Sequence, residues 1–456
     1  MKTFKISTIV LVAIFTMSYA ATTFGAVSPE EAAKLGTTLT AVGAETAGNK
    51  EGTIPAYTGG LRTPPANFKP GSGIRPDPFA GEKPLFSINA KNMSEYADKL
   101  TEGAKELFKK FPSTYRMDVY KTHRSAAFPD YVLENTKKNA LTARTDYKGL
   151  VVRGAGAGYP FPIPKDAHEM MWNHQLRFRG RSTELFVTGV VVDRAGQVSV
   201  GNEMEQWVEF PYYDQDRTRP DAEVYWKMKY YLHGPAARVG EAFLIIDDMN
   251  VIEKPRIVYL YLPGQRRVRL APEVAFDTPQ PVSNGNMTYD DDQMFNGSME
   301  RYDWKIVGKK EVIIPYNCYK LVYECKQDQM LGKQHLNPDL VRWELHRMWI
   351  VEATLKQGKR HIVPKRRLYL DEDTWFALAT DQYDAHGNFF KAGFIFFTQS
   401  YDATVPNGEF NIYYNFISGR YNTTYWPGIK GGYYRYVKTR PLDFWTPGTL
   451  AATGLR

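Results

Sequence analysis

Beyond Arg179-Gly180 the apolar residues recur at every second position, and no helical period returns to interrupt them for long. Leu185 to Asp193 and the run from Gln197 flank Arg194-Ala195-Gly196, a hairpin signal. Val224, Trp226, Met228 and Tyr230 alternate with Tyr225, Lys227, Lys229 and Tyr231, which suits a strand with one buried face. Ile257 to Leu262 (IVYLYL) is apolar on both faces and stops at Pro263-Gly264, so both sides need cover. Tyr319, Leu321, Tyr323 and Cys325 form the apolar face of a further strand, and Val341, Trp343, Leu345, Trp349 and Val351 that of a longer one interrupted by Arg347. Leu368 to Leu370, Trp375 to Ala379 and Gly393 to Phe397 continue the series, with Asp384 to Asn388 as a turn. No βαβ alternation appears. The expected fold is mainly β (α+β): one large, strongly curved antiparallel sheet.

Aromatic content supports strands. Aromatic residues make up 14% of the chain, with 30 Tyr and 25 Phe, and these side chains pack well across a pleated surface. From Val27 to about Phe178 the signals are instead helical and loop-like. Ser28, Pro29 and Glu31 stand as N-cap, N1 and N3 of a short helix, a capping-box arrangement. Glycine and proline punctuate Gly43 to Pro84, which predicts an irregular extension. Ser94 to Phe108 places Tyr96, Leu100, Ala104 and Leu107-Phe108 at near-helical spacing; further helices are expected at Tyr131 to Ala143 and between Asp166 and Leu176. The expected division is therefore a helical and loop segment over residues 27–178, packing on a β domain over 179–456, with helices plugging its concave side.

The first 26 residues point to export. Lys2 and Lys5 precede Ile9 to Met17, an apolar run too short for a bilayer span, which needs ~20 residues. It reads as the core of a signal peptide, cut after some position between 20 and 26. The only cysteines are Cys318 and Cys325, so no lipid-bearing cysteine can start the mature chain. On one straight strand these two would lie ~23 Å apart, and pairing would require a turn between them. The expectation is a soluble periplasmic protein, with peripheral association to the outer membrane left open. Net charge is +8 with basic residues scattered among acids, a pattern that disfavours nucleic acid as partner.

Three stretches carry a specific likeness: AVSPEEAAKLGTTLTAVGAETAGNKEGTIPAYTGG (Ala26 to Gly60), YPFPIPKDAHEMMWNHQLRFRG (Tyr159 to Gly180) and MFNGSMERYDWKIVGKK (Met294 to Lys310). With Arg342 to Trp375 they resemble a Gram-negative periplasmic domain-of-unknown-function family often labelled outer-membrane lipoprotein-sorting-like. Asp166-Ala167-His168 departs from the pattern, where a glycine is expected in the turn. The resemblance implies a fold of the LolA and LolB type, a half-open β-barrel that holds acyl chains and is closed by helices. It further implies relatives encoded beside resistance-nodulation-division transporters and outer-membrane proteins.

Candidate chemistry is sparse. His168-Glu169 with His174 lacks the i, i+4 histidine pair of a zinc helix, since position 172 is Trp; Glu169, Trp172, Asn173, His174 and Arg177 are expected to tie the helix to the sheet. Asp290-Asp291-Asp292, Asp371-Glu372-Asp373 and Asp214 with Asp216 lack a full calcium loop and read as solvated turns. Arg266-Arg267-x-Arg269 reads as strand-edge charge. Neither a nucleophile elbow nor a phosphate loop occurs, and no metal or cofactor is implied. The expected lining of a hydrophobic cavity is Trp226, Tyr230, Tyr259, Tyr261, Trp343, Leu345 and Trp349, with an ordinary closed core as the competing reading. The function expected is a non-enzymatic carrier or chaperone for a lipid, lipoprotein or other hydrophobic molecule moving toward the outer membrane. Alternatives are a non-carrier accessory subunit of an export system, and a secreted hydrolase that would depend on His174.

Overall fold

The computed structural model describes residues 26–454 apart from 273, 275 and 428–432. The apolar run of the expected signal peptide lies outside the described residues. Thirteen strands form the body of one sheet: β1 (Ser182–Val192), β2 (Val198–Glu209), β3 (Val224–Gly234), β4 (Ala242–Asp248), β5 (Ile257–Leu262), β6 (Arg267–Leu270), β7 (Tyr302–Pro315), β8 (Trp343–Leu355), β9 (Lys365–Asp371), β10 (Ala377–Tyr383), β11 (Phe389–Ser400), β12 (Val405–Asn415) and β13 (Arg420–Trp426). Each of two antiparallel meanders, β1 to β6 and β7 to β13, pairs strand by strand with its sequence neighbour. A single seam joins them, where Val192 of β1 faces Tyr421 of β13.

The sheet is open, a half-barrel. Register shifts recur between most pairs, as at Gly189/Val190, Glu203/Met204, Tyr369/Leu370 and Phe396/Phe397. Each such bulge bends its strand and increases the local twist, so their sum curls the sheet. At one end β6 exposes Arg267 and Arg269, and at the other β7 carries Lys305, Lys309 and Lys310, charges that discourage pairing with another chain.

Two short segments of the N-terminal region, Phe86–Ile88 and Met117–Val119, extend the sheet beside β8, where Val119 pairs with Trp343 in parallel. The capping box at Ser28 is present, with its serine and Glu31 bonded reciprocally to the backbone. The helix expected over Ser94 to Phe108 is broken in two. Met93–Lys99 winds as a 3-10 turn, and Thr101 accepts the N–H of Ala104 (3.1 Å) to start α1 (Glu102–Lys110) afresh. The other helices are α2 (Asp130–Thr142), α3 (Ala167–Gln175) and, at the C-terminus, α4 (Pro447–Gly454).

Another correction concerns Tyr319 to Cys325. Lys320–Glu324 is a wide helical turn, and Leu321, Val322 and Tyr323 are all buried. Three consecutive buried apolar residues suit a coil of chain enclosed on several sides, whereas the strand reading left Val322 facing solvent. Cys318 and Cys325 are both free thiols; Cys318 donates to the carbonyl of Arg342 and Cys325 to that of Leu321.

The inner face of the sheet is covered by irregular chain rather than by helices alone. The connection from β6 to β7 crosses it, and we call its described residues from Gln280 to Asn296 the strap. Lys391 and Gln382, paired across β11 and β10, both reach Asp291 of the strap, at 2.7 and 2.6 Å. Their neighbours Asp381 and Ala392 point to the opposite face, where Gly103 of α1 lies against them. Of the early helices expected to plug the concave side, α1 covers the outer face, whereas α3 lies against the strap through His174. Among the described residues no helix is long and apolar enough to cross a membrane.

Candidate functional site

The strap is held by a buried charge network. Asp290 accepts from His361 Nε2 and from Arg366, each at 3.0 Å; Arg366 also donates to Tyr302 Oη (3.0 Å) and lies 3.6 Å from Asp291. The side chains of Asp290, Asp291, His361, Arg366 and Lys391 are essentially inaccessible. Neighbouring cations hold Asp290 and Asp291 below the usual carboxylate range despite burial, which alone would raise them. Asp290-Asp291-Asp292 is thus no solvated turn. Its partners stand 70 to 100 positions along the chain, where no local pattern reveals them.

Between the strap and strands β2, β3 and β4 lie two adjoining cavities of about 50 and 20 Å³. Trp226, Met228, Asp292 and Tyr425 border both. The larger adds Met204, Tyr230, Ile245 and Tyr289, the smaller Val208, Phe210, Arg179 and Gln206. The wall of this cleft mixes apolar side chains with polar and charged ones, Arg238, Arg256, Gln280 and Asn296 among them, and burial raises Asp292 above the usual carboxylate range. Side-chain atoms of Asn202, Gln206, Asp292 and Arg179 in its wall have no hydrogen-bond partner. Trp226 donates its indole N–H to Asp247 on the neighbouring strand, which fixes the ring at the junction of the cavities.

Of the expected lining residues, Trp226 and Tyr230 border this cleft, the latter stacked on Phe243 at 4.7 Å. Tyr259 and Tyr261 do not. Leu244 pairs with Tyr259 and Ala242 with Tyr261, and these four meet Trp445 and Leu450 near α4, on the outer face. Alternation identifies residues that share a face; it leaves open which face is the inner one. Trp343 packs edge-on against Phe394 and lines a separate cavity of about 20 Å³ with Leu336, Ile412 and Tyr414. Leu345 is buried in the main core, and Trp349 sits half-buried under the ammonium of Lys309. Met204, Met228, Ile245 and Tyr425 were not singled out from the sequence; Met228 at least shares the alternation of Trp226 and Tyr230.

α3 is buried almost all round. Trp172 donates to the carbonyl of Gly149 (2.8 Å), and Asn173 bonds both the N–H and the carbonyl of Phe161. Both ring nitrogens of His174 meet backbone, Nε2 the carbonyl of Phe295 (3.0 Å) and Nδ1 the N–H of Ala377 (3.1 Å). Arg177 donates to Gln293 of the strap (3.0 Å) and lies over Phe376. His174 and Arg177 join helix, strap and sheet; Trp172 and Asn173 bind the helix to its own approach loops. Burial holds His174 far below its ordinary range, so it stays neutral with no free nitrogen to serve as a base.

Glu169 accepts the N–H of Lys165 (2.6 Å), and burial pushes its carboxyl up to about 7. Since the folded state binds this proton more tightly than the unfolded chain, stability is fully present below about pH 4.5 and declines as pH rises toward 7. Glu169→Gln is expected to flatten that decline and to stabilise the protein by about 1 to 2 kcal/mol at pH 7.5. Thermal midpoints measured from pH 4 to 8 check it; a slope identical to the parent protein refutes it.

Asp371-Glu372-Asp373 is also buried rather than solvated. Arg124 clasps Asp373 through two bonds of 2.9 and 2.6 Å, and Arg347 binds Glu372 at 3.0 Å. Asp214 is paired to Arg181 at 2.6 Å, and only Asp216 is exposed as expected.

A family profile described as "Protein of unknown function (DUF1329)" matches residues 87–451. An uncharacterized protein of Pseudomonas aeruginosa is 39% identical over 458 residues, covering 100% of both chains. Among solved structures, a DUF1329 family protein from Desulfovibrio piger is 14% identical, with a TM-score of 0.42 over 62% of this chain and 95% of that one. A LolA superfamily protein from Nitrosomonas europaea is 12% identical, with a TM-score of 0.36 over 63% of this chain and 100% of that one.

Proposed function

From the premise that this chain belongs to the DUF1329 family, we propose that it is a periplasmic carrier or chaperone for a hydrophobic molecule, a lipid or an acylated protein, that binds without covalent chemistry. The observation that carries this reading is the cleft between strap and sheet. Its walls carry methionine, tryptophan and tyrosine beside arginine and amide side chains, and its roof is an irregular segment without strand or α-helix pairing to the sheet. Methionine fits guests of varied shape, and an irregular roof can lift without breaking the sheet ladder. The space of about 50 Å³ is well below the roughly 300 Å³ of a typical ligand pocket. The conformation described here is therefore the closed one, and loading requires the strap to move. Each methylene buried would contribute ~0.8 kcal/mol, so a tail of a dozen carbons supplies enough to displace it.

The test is displacement of a fluorescent fatty acid, together with analysis of lipids that copurify. Binding is expected in the parent protein, and Met204→Trp, which fills the larger cavity, is expected to weaken it at least tenfold. Probe binding equal in the two proteins would exclude the cleft as the site.

The small volume favours a second reading, an accessory subunit of an efflux-type export system that docks its transporter or an outer-membrane protein and carries no cargo. Capture of such a partner with no probe binding under any condition would select it.

A further inference from the structure

Away from the cleft, three side chains of metal-ligating type gather at the turn between β9 and β10. His346 of β8, Asp371 at the end of β9 and Asp373 in the turn each offer a ligand atom, and these atoms lie within 4.8 Å of one another. All three side chains are buried. Around a four-coordinate zinc ion with bonds of about 2.1 Å, ligand atoms stand roughly 3.4 Å apart, so small side-chain rotations suffice to close the set.

Asp371 is the informative member. Its Oδ2 accepts from Thr374 (2.6 Å) and from Tyr316 Oη (3.2 Å), but its Oδ1 is buried with no hydrogen-bond partner. The carboxylates around it are otherwise matched to cations: Asp373 and Glu372 to Arg124, Glu372 also to Arg347 and Lys309, Glu344 and Glu82 to Arg342, and Glu45 to Lys309. Among the described residues Asp371 is the carboxylate of this group that forms no ion pair with a lysine or arginine. A buried carboxylate without a counter-charge is costly, and a dication would supply the missing charge. The histidine is also set up as a ligand. Its Nε2 contacts Glu344 Oε2 (3.2 Å), the carboxylate partner that orients a metal-bound imidazole, and its ring is clamped by Tyr316 at 3.8 Å.

We propose that His346, Asp371 and Asp373 bind one divalent first-row metal ion, zinc or manganese by the mixture of imidazole and carboxylate ligands, as a structural clamp. Asp373 would be shared between the ion and Arg124, whose guanidinium also reaches the carbonyls of Thr46 and Pro55. The ion would thereby fasten the N-terminal extension to the β9 to β10 turn. A site so enclosed takes up its metal as the chain folds.

The experiment is metal analysis of untagged full-length protein, both as purified from cells and after refolding with Zn²⁺ or Mn²⁺ followed by desalting. About one equivalent per chain is expected, with an X-ray absorption spectrum of nitrogen and oxygen ligands, and refolding with a chelator should lower the thermal midpoint. Asp371→Asn keeps the shape and the accepting oxygen, and it is expected to drop the metal content to background while circular dichroism is unchanged. Less than about a tenth of an equivalent in the parent protein after refolding with either metal overturns the proposal. Full metal content in both Asp371→Asn and His346→Gln overturns it as well.

Discussion

Arg366→Met should lower the stability of the protein by about 3 to 5 kcal/mol, a large part of what a folded chain has in reserve. Arg366 is fully buried, and it is the cation shared by Asp290 and Asp291 beneath the strap. Methionine fills much of the same volume, so the loss is one of charge compensation more than of packing. Asp290 would keep His361 as its partner, and Asp291 would keep Lys391. The remaining network would hold two carboxylates against Lys391 and a histidine. Two further nitrogens of Arg366 already lack hydrogen-bond partners, so the network has no slack to reorganise. Urea unfolding followed by tryptophan fluorescence measures the change. A shift below about 1 kcal/mol would mean that water reaches the site and that the strap is not locked by these charges.

Gly201→Ala should loosen the strap and open the cleft. A Cβ at Gly201 on β2 would stand 1.9 Å from the carbonyl oxygen of Val282, a backbone atom that no rotamer change can move aside. Gly201 has no left-handed backbone, so the effect reports close approach and not strain at that residue. Overpacking of this kind costs about 1 to 3 kcal/mol or more, and the strap is the element free to give. The carrier reading then makes an unusual demand: a destabilised protein that binds the fatty-acid probe several-fold more tightly, because less work remains to displace the roof. Hydrogen exchange should show faster opening confined to the strap and the inner ends of β2 and β3. Weaker binding alongside lower stability would instead show that the strap is part of the binding surface.

The sheet was legible in the sequence because each meander repeats a two-residue period and its turns are local. The cleft was legible only in part. Trp226, Met228 and Tyr230 share a face in the alternation, and two of them were expected to line a cavity. Tyr259 and Tyr261 obey the same period but face α4, since a strand apolar on both sides carries no mark of which side is inner. The strap has no period to read at all. Its three aspartates look like any acidic turn, because the groups that neutralise Asp290 and Asp291, namely His361, Arg366 and Lys391, come from strands and a loop that only the finished sheet brings together. The same holds for Asp371 to Asp373, whose cations Arg124 and Arg347 are distant in the chain. β7, the longest of the thirteen strands, is absent from the expected strand series; its charged residues interrupt the apolar alternation and mark a sheet edge.

The seam between β1 and β13 sets the order in which the molecule can assemble. Every other neighbouring pair in the thirteen-strand body is joined by a hairpin or a connection within its own half, whereas closing this one gathers residues from opposite ends of the β region. Loop-closure entropy makes such a contact late. An exported chain would therefore mature as two separate leaflets, the strap already laid across one of them. Mechanical or chemical stress should split the protein along this line first.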